Sequence, residues 1–206
     1  WVALLQPFKP AFLDGQRQRL TRWWLRNLIR LLPLRLHVHG SPVSDTALWV
    51  SNHVSWLDIV VLGAQAPVHF LSKAEVRQWP VIGWLAAAAG TCFIQRGKSV
   101  SQSLQVQLTQ ILNQGRSLVI VAVAYRLDGE ADRSAPFIDD DEFSQHLVRL
   151  LGSRTIDVHV YFLAPIASQD RNRNQLAREA QSAVSQALGL PDGTVKSTAP
   201  ELKSAA

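Results

Sequence analysis

The sequence predicts an α/β domain. Its centre is a mixed, partly parallel sheet flanked by helices, and an amphipathic helical segment at the N-terminus associates with a membrane. Three observations predict this. Short apolar or alternating runs bounded by turn residues alternate with stretches of helical period. Hydrophobic residues make up 47% of the chain and charged residues only 18%, below the roughly 25% usual for a soluble domain. Arginines recur at spacings of three and four beside a broad apolar side near the start.

The elements follow in order. Residues 16–32 read as a helix that Pro33 ends. Arg19, Arg22, Arg26 and Arg30 share one narrow face, with Leu20, Trp23, Trp24, Leu28, Leu31 and Leu32 over the opposite side. A basic stripe with tryptophan beside a wide apolar face suits a helix lying in a membrane interface. Residues 1–36 are therefore assigned to membrane association, with Arg19, Arg22, Trp23, Trp24, Arg26 and Arg30 as contacts. Strands are expected at 34–40, 47–51, 68–73, 91–96, 117–126 and 157–166. Helices are expected at 58–64, in part over 75–90 where Pro80 and Gly83 interrupt, over 98–114 closed by Gly115, and over 172–189. The tail 191–206 reads as disordered, which leaves 37–190 as one catalytic domain.

Composition narrows the function. At 206 residues one domain with an appendage buries a sizeable core. A net charge of +5 and a pI near 9.9 favour anionic partners: nucleic acid, an anionic lipid surface or phosphorylated substrates. Nucleic acid is the poor choice, because the basic residues gather on a Trp-rich amphipathic helix and no recognition module is present. Seven Trp against two Tyr fits the lipid headgroup region. The single cysteine, Cys92, excludes an internal disulfide and a Cys-based zinc cluster. The opening WVALLQPF reads like the tail of an apolar segment, and no apolar run reaches the 18 residues of a membrane span. A Gly-rich nucleotide loop and the GxSxG of a serine hydrolase are both absent.

One stretch concentrates chemistry. In Asn52-His53-Val54-Ser55-Trp56-Leu57-Asp58, a histidine and an aspartate stand five residues apart between two apolar runs. On one continuous helix they sit about 140° apart and cannot meet. They meet if His53 lies in the turn before a helix and Asp58 in its first turns. The carboxylate then holds one imidazole tautomer and frees the other nitrogen as a base. Asn52 or Ser55 is placed to cap that helix, and a helix N-terminus beside His53 favours the neutral ring. The other histidines offer less. His37 and His39 alternate on a strand and read as structural, while His69, His146 and His159 have no partner in sequence. The acidic run Asp139 to Glu142 reads as a solvated loop and helix start.

NHVSWLD resembles the N-H-x4-D motif of the glycerolipid acyltransferases, the lysophosphatidic acid acyltransferase (1-acyl-sn-glycerol-3-phosphate acyltransferase) family. The next block, SKAEVRQWPVIGWLAAAAGTCFIQRGKS, is similar to that family's second region. Lys73, Pro80, Gly83, Phe93, Ile94 and Arg96 fall on its recurring positions, and the likeness spans roughly residues 37–190. The resemblance implies transfer of a fatty acyl group from acyl-CoA or acyl-carrier protein to the free hydroxyl of lysophosphatidic acid, giving phosphatidic acid. Another lysolipid, such as a lyso-ornithine lipid, is the alternative acceptor, and a non-catalytic membrane-binding module is the alternative role. His53 and Asp58 are then catalytic, and Arg96, Lys73 and Asn52 bind substrate. No metal or cofactor beyond the acyl donor is implied, and the place of action is the cytoplasmic face of the inner membrane. One departure stands out. The family's third motif, Phe-Pro-Glu-Gly-Thr-Arg, should follow a strand like SLVI, yet SLVI runs directly into VAVAYR. Ten residues, SLVIVAVAYR, apolar between the end residues Ser117 and Arg126, are long for one strand. The reading is a junction between about Ile120 and Val121, where a loop carrying that motif is missing.

Overall fold

The computed structural model describes residues 11–43, 48–68, 70–79, 82–88, 91–94, 117–137, 142–169 and 171–190. Helix α1 (Ala11–Leu31) precedes strands β1 (Leu34–His39) and β2 (Leu48–Ser51). Next come α2 (Leu57–Gln65), β3 (Leu71–Lys73), a 3-10 turn (Ala74–Gln78), α3 (Ile82–Ala88) and β4 (Cys92–Ile94). The second half runs β5 (Ser117–Leu127), β6 (Glu130–Ala131), α4 (Phe143–Leu151), β7 (Ile156–Phe162), β8 (Ile166–Ala167) and α5 (Arg173–Leu188).

The main sheet has the order β1-β7-β5-β2, with β6 and β8 also paired to β5. β1 is parallel to β7 and β2 to β5, whereas β5 and β7 are antiparallel, so the sheet is mixed as expected. β3 and β4 form a separate parallel pair. Both faces of β5 are covered. Val119, Val121 and Val123 pack with Leu57, Val61 and Val160 on one side. Leu118, Ile120 and Ala122 meet Leu176, Ala180 and Val184 of α5 on the other. A strand buried on both faces reads as an unbroken apolar run, which is how 117–126 reads.

The run is one continuous strand, yet its neighbours change midway. Leu118–Val121 pair with β2, and Val121–Arg126 pair with β7. The expected strand 157–166 is divided, with β7 ending at Phe162 and β8 starting at Ile166. Pro165 lies in the break and has no N–H for a ladder. Helix α5 has a full capping box, Asn172 with Gln175, and closes on Gly189 at φ 66°. The expected helix 98–114 and the tail 191–206 lie outside the described residues.

Helix α1 packs on the domain through two of the arginines assigned to membrane contact. Arg26 Nε donates to the Ala64 carbonyl at 3.1 Å, and Arg22 Nη2 approaches the Gln65 carbonyl at 3.4 Å. These carbonyls belong to the last turn of α2, which has no helical partner for them and carries partial negative charge. Two of the four arginines therefore bond to the domain, Arg22 half-buried and Arg26 still exposed. Leu25 is buried between α1 and α2 with Val60 and Ala64. Gly63 lets the helices come this close, since a Cβ there would stand 2.6 Å from Leu25 Cδ1. The exposed residues of the helix include Arg19, Arg26 and Arg30 together with large apolar side chains: Leu20, Trp23 and Leu31 are 53%, 62% and 78% exposed. No described helix is long and apolar enough to cross a membrane.

Candidate active site

The loop between β2 and α2 is built by side chains that replace missing backbone partners. Where β2 stops at Ser51, Asn52 continues its ladder. Asn52 Nδ2 donates to the Val123 carbonyl at 2.7 Å, and the Val123 N–H donates to Asn52 Oδ1 at 2.8 Å. Asn52 is thus bonded to β5 and not a helix cap, and it lines a cleft together with His53. Ser55 does sit near the helix start, with the Leu57 N–H 3.3 Å from its Oγ.

Asp58 reaches back from the first turn of α2. Its Oδ2 accepts from the Val54 N–H at 2.8 Å, the Ser55 N–H at 2.9 Å and His53 Nδ1 at 2.9 Å. Its Oδ1 accepts from the Tyr125 hydroxyl at 2.5 Å. The residue is only 1% exposed. Four donors make burial of a carboxylate tolerable. The expected pairing of turn histidine and first-turn aspartate is present.

The same contact fixes the imidazole. With Nδ1–H donated to Asp58, Nε2 is the acceptor, and it has no partner among the described residues. The His53 side chain is 62% exposed. The hydrogen bond to Asp58 raises the ring's pKa above its ordinary 6.5, with burial opposing and the carboxylate's charge adding to the rise. This reverses the sign expected from the helix N-terminus, because a carboxylate bonded directly to the ring outweighs a partial dipole charge. Burial, then the charge and hydrogen bond of Asp58, push Tyr125 well above 10, so its hydroxyl stays protonated and donates.

A second layer holds the turn in place. Trp56 Nε1 donates to His146 Nδ1 at 3.1 Å, and His146 Nε2 lies 3.2 Å from the Ala135 carbonyl. His146 is fully buried with both nitrogens engaged, so it is structural. The Phe137 N–H donates to the Val54 carbonyl at 2.9 Å. In front of this layer opens a cleft of about 520 Å³, lined among others by His53, Trp56, Tyr125, Arg126, Leu188 and Leu190.

Of the residues singled out in the sequence, His53 and Asp58 come together and Asn52 serves the backbone. The backbone of Lys73 closes β3, but its side chain and all of Arg96 lie outside the described residues. Tyr125, Trp56, His146 and Arg126 escaped the sequence reading. Tyr125 left a signal: a hydroxyl inside a run buried on both faces needs an acceptor.

A histidine bonded through one ring nitrogen to a buried carboxylate, with the other nitrogen at the mouth of an open cleft, has the arrangement of a group that can take a proton from a hydroxyl or water. The chain belongs to the acyltransferase family, and it is an enzyme that transfers acyl groups. It is 44% identical over 220 residues to the lyso-ornithine lipid O-acyltransferase of Pseudomonas aeruginosa, covering 91% of this chain and 85% of that one. The family model described as Acyltransferase matches residues 35–128. The 1-acyl-sn-glycerol-3-phosphate acyltransferase of Neisseria meningitidis serogroup B is 40% identical over 74 residues, 34% of this chain and 29% of that protein. The crystal structure of PlsC, the 1-acyl-sn-glycerophosphate (LPA) acyltransferase of Thermotoga maritima, superposes with a TM-score of 0.54 at 14% identity. It covers 84% of this chain and 78% of that one, a likeness of fold. Ninety-one per cent of 206 residues is about 187, so the 220-position Pseudomonas alignment leaves about 33 positions opposite gaps in this chain.

Proposed function

We propose that this protein moves a fatty acyl group from a thioester donor, acyl-CoA or acyl-carrier protein, to the free hydroxyl of a lyso-ornithine lipid at a membrane surface. The observation that carries the chemistry is the 2.9 Å bond between His53 Nδ1 and Asp58, which leaves Nε2 free in the cleft. His53 Nε2 takes the hydroxyl proton as the oxygen attacks the thioester carbonyl. The C–O bond forms, the C–S bond breaks, and the leaving thiolate recovers the proton from the imidazolium. Asp58 holds the ring and stabilises the imidazolium between the two transfers. Neither transfer calls for a covalent enzyme intermediate or a cofactor.

The acceptor reading departs from the one first implied by the motifs. Identity of 44% across most of a lyso-ornithine lipid acyltransferase supports the ornithine acceptor better than shorter matches to glycerophosphate enzymes support lysophosphatidic acid. Lysophosphatidic acid stays the second reading, favoured by the Neisseria relatives. Purified protein given each acceptor with one acyl-CoA tests this. The expected outcome is a kcat/KM at least tenfold higher for the lyso-ornithine lipid. Equal or reversed preference rejects it.

The same reading includes a junction at Ile120–Val121, where relatives carry the loop with the third motif. The roughly 33 aligned positions of the Pseudomonas relative that stand opposite gaps in this chain leave room for such a loop, and β2 pairs only with the part of β5 up to Val121. Sequencing the intact gene across this point decides it, since an uninterrupted SLVIVAVAYR rejects the junction.

A further inference from the structure

Among the described residues, His53 shares its cleft with one guanidinium, that of Arg126. Arg126 follows Tyr125 on β5, and successive side chains of a strand leave opposite faces. Tyr125 turns to Asp58, while Arg126 lies on the face of Ala124, toward the α5 end where Leu188 and Leu190 line the cleft. Its reach is set by the hairpin that follows. Asp128 and Gly129 adopt φ of 53° and 85°, the conformation of a two-residue Asp-Gly turn. Arg126 Nη1 donates to the Gly129 carbonyl at 3.0 Å, which leaves its other donors available.

No carboxylate pairs with Arg126 among the described residues. Among the described residues, the one carboxylate lining the cleft is Asp132, which accepts from the Ser134 N–H at 3.0 Å, the Ser134 hydroxyl at 2.9 Å and the Ala135 N–H at 2.6 Å. It is engaged in its own turn. Among the described residues, the cleft therefore presents a cation without a carboxylate partner to a largely apolar lining that also holds the nitrogen proposed to activate a hydroxyl. A planar guanidinium binds an oxoanion through two parallel hydrogen bonds.

We propose that Arg126 binds the oxoanion of the acceptor headgroup and so selects acceptors whose anion lies within reach of the reacting hydroxyl. The shared chemistry is a carboxylate, as on an ornithine headgroup, or a phosphate. The inference rests on the acyl-transfer reading of the site.

The experiment compares the parent with Arg126→Gln and Arg126→Lys on three acceptors: lyso-ornithine lipid, the methyl ester of its headgroup carboxylate, and lysophosphatidic acid. Arg126→Gln should raise the acceptor KM by about 10–150-fold, the worth of a charged hydrogen bond. The donor KM should hold, and the preference for acid over ester should vanish. Arg126→Lys should recover part of it. The acceptor that loses most identifies the oxoanion. Equal losses on acid and ester, or a shift in donor KM instead, overturn the proposal, since bracing of the hairpin alone affects both acceptors alike. A parent inert on every acceptor counts against the acyl-transfer reading. Binding then decides the inference, through the change in Trp fluorescence on adding the acid or the ester. Acid binding lost in Arg126→Gln and kept for the ester supports it, and indistinguishable titrations overturn it.

Discussion

In the proposed reaction His53 carries the chemistry because of what Asp58 does to it. Removing a general base costs about 10²-fold or more, so His53→Ala should reduce acyl transfer at least that far with an unchanged melting temperature. Activity within tenfold of the parent contradicts the role. The raised pKa of the ring has a signed consequence. A base works neutral, so activity should be lost as pH falls through a value above 6.5. For stability the sign is opposite: the His53–Asp58 bond contributes fully below the unfolded pKa, and that contribution is lost as pH rises through the folded one. Asp58→Asn should move the acid limb of the kcat/KM profile downward. It should also destabilise, because an amide turns a donor toward one of the donors that Asp58 accepts. Tyr125→Phe should move the limb the other way. Without the hydroxyl, Asp58 becomes a stronger acceptor for the imidazolium, and losing one buried hydrogen bond costs about 1 kcal/mol. A downward or absent shift in Tyr125→Phe refutes the coupling.

At the scale of elements, α1 divides into two roles that one periodicity could not separate. Arg22 and Arg26 serve the end of α2, whereas Leu20, Trp23 and Leu31 face outward. Arg26→Gln should therefore lower the melting temperature by a few degrees, as loss of a charged hydrogen bond of roughly 1–2 kcal/mol does in a chain of this size. Paired Trp23→Ser and Leu31→Ser should leave melting unchanged and weaken flotation with anionic vesicles, because the apolar face then has less to insert. If only the arginine variant alters flotation, the outward face is not the lipid contact. β5 shows the same division. Its two halves have different neighbours, and only the second half reaches the cleft through Val123, Tyr125 and Arg126.

At the scale of the whole molecule, the fold brings four stretches of the described residues to one cleft: the β2–α2 turn, the end of β5, the segment 131–137 and the end of α5. The periods of the sequence determined most of the elements, since a strand or helix buries its faces at intervals readable from spacing alone. His53 and Asp58 were legible for the same reason: five residues across a turn and one helical turn make a local contact. What only the tertiary structure decided lies at long range. Tyr125 meets Asp58 across 67 residues, Asn52 meets Val123 across 71 and Trp56 meets His146 across 90. The direction of Arg22 and Arg26 depended on where α2 ends in space. Such contacts follow from which strands lie side by side and which helix end is left open, and spacing along one segment carries no record of its neighbour.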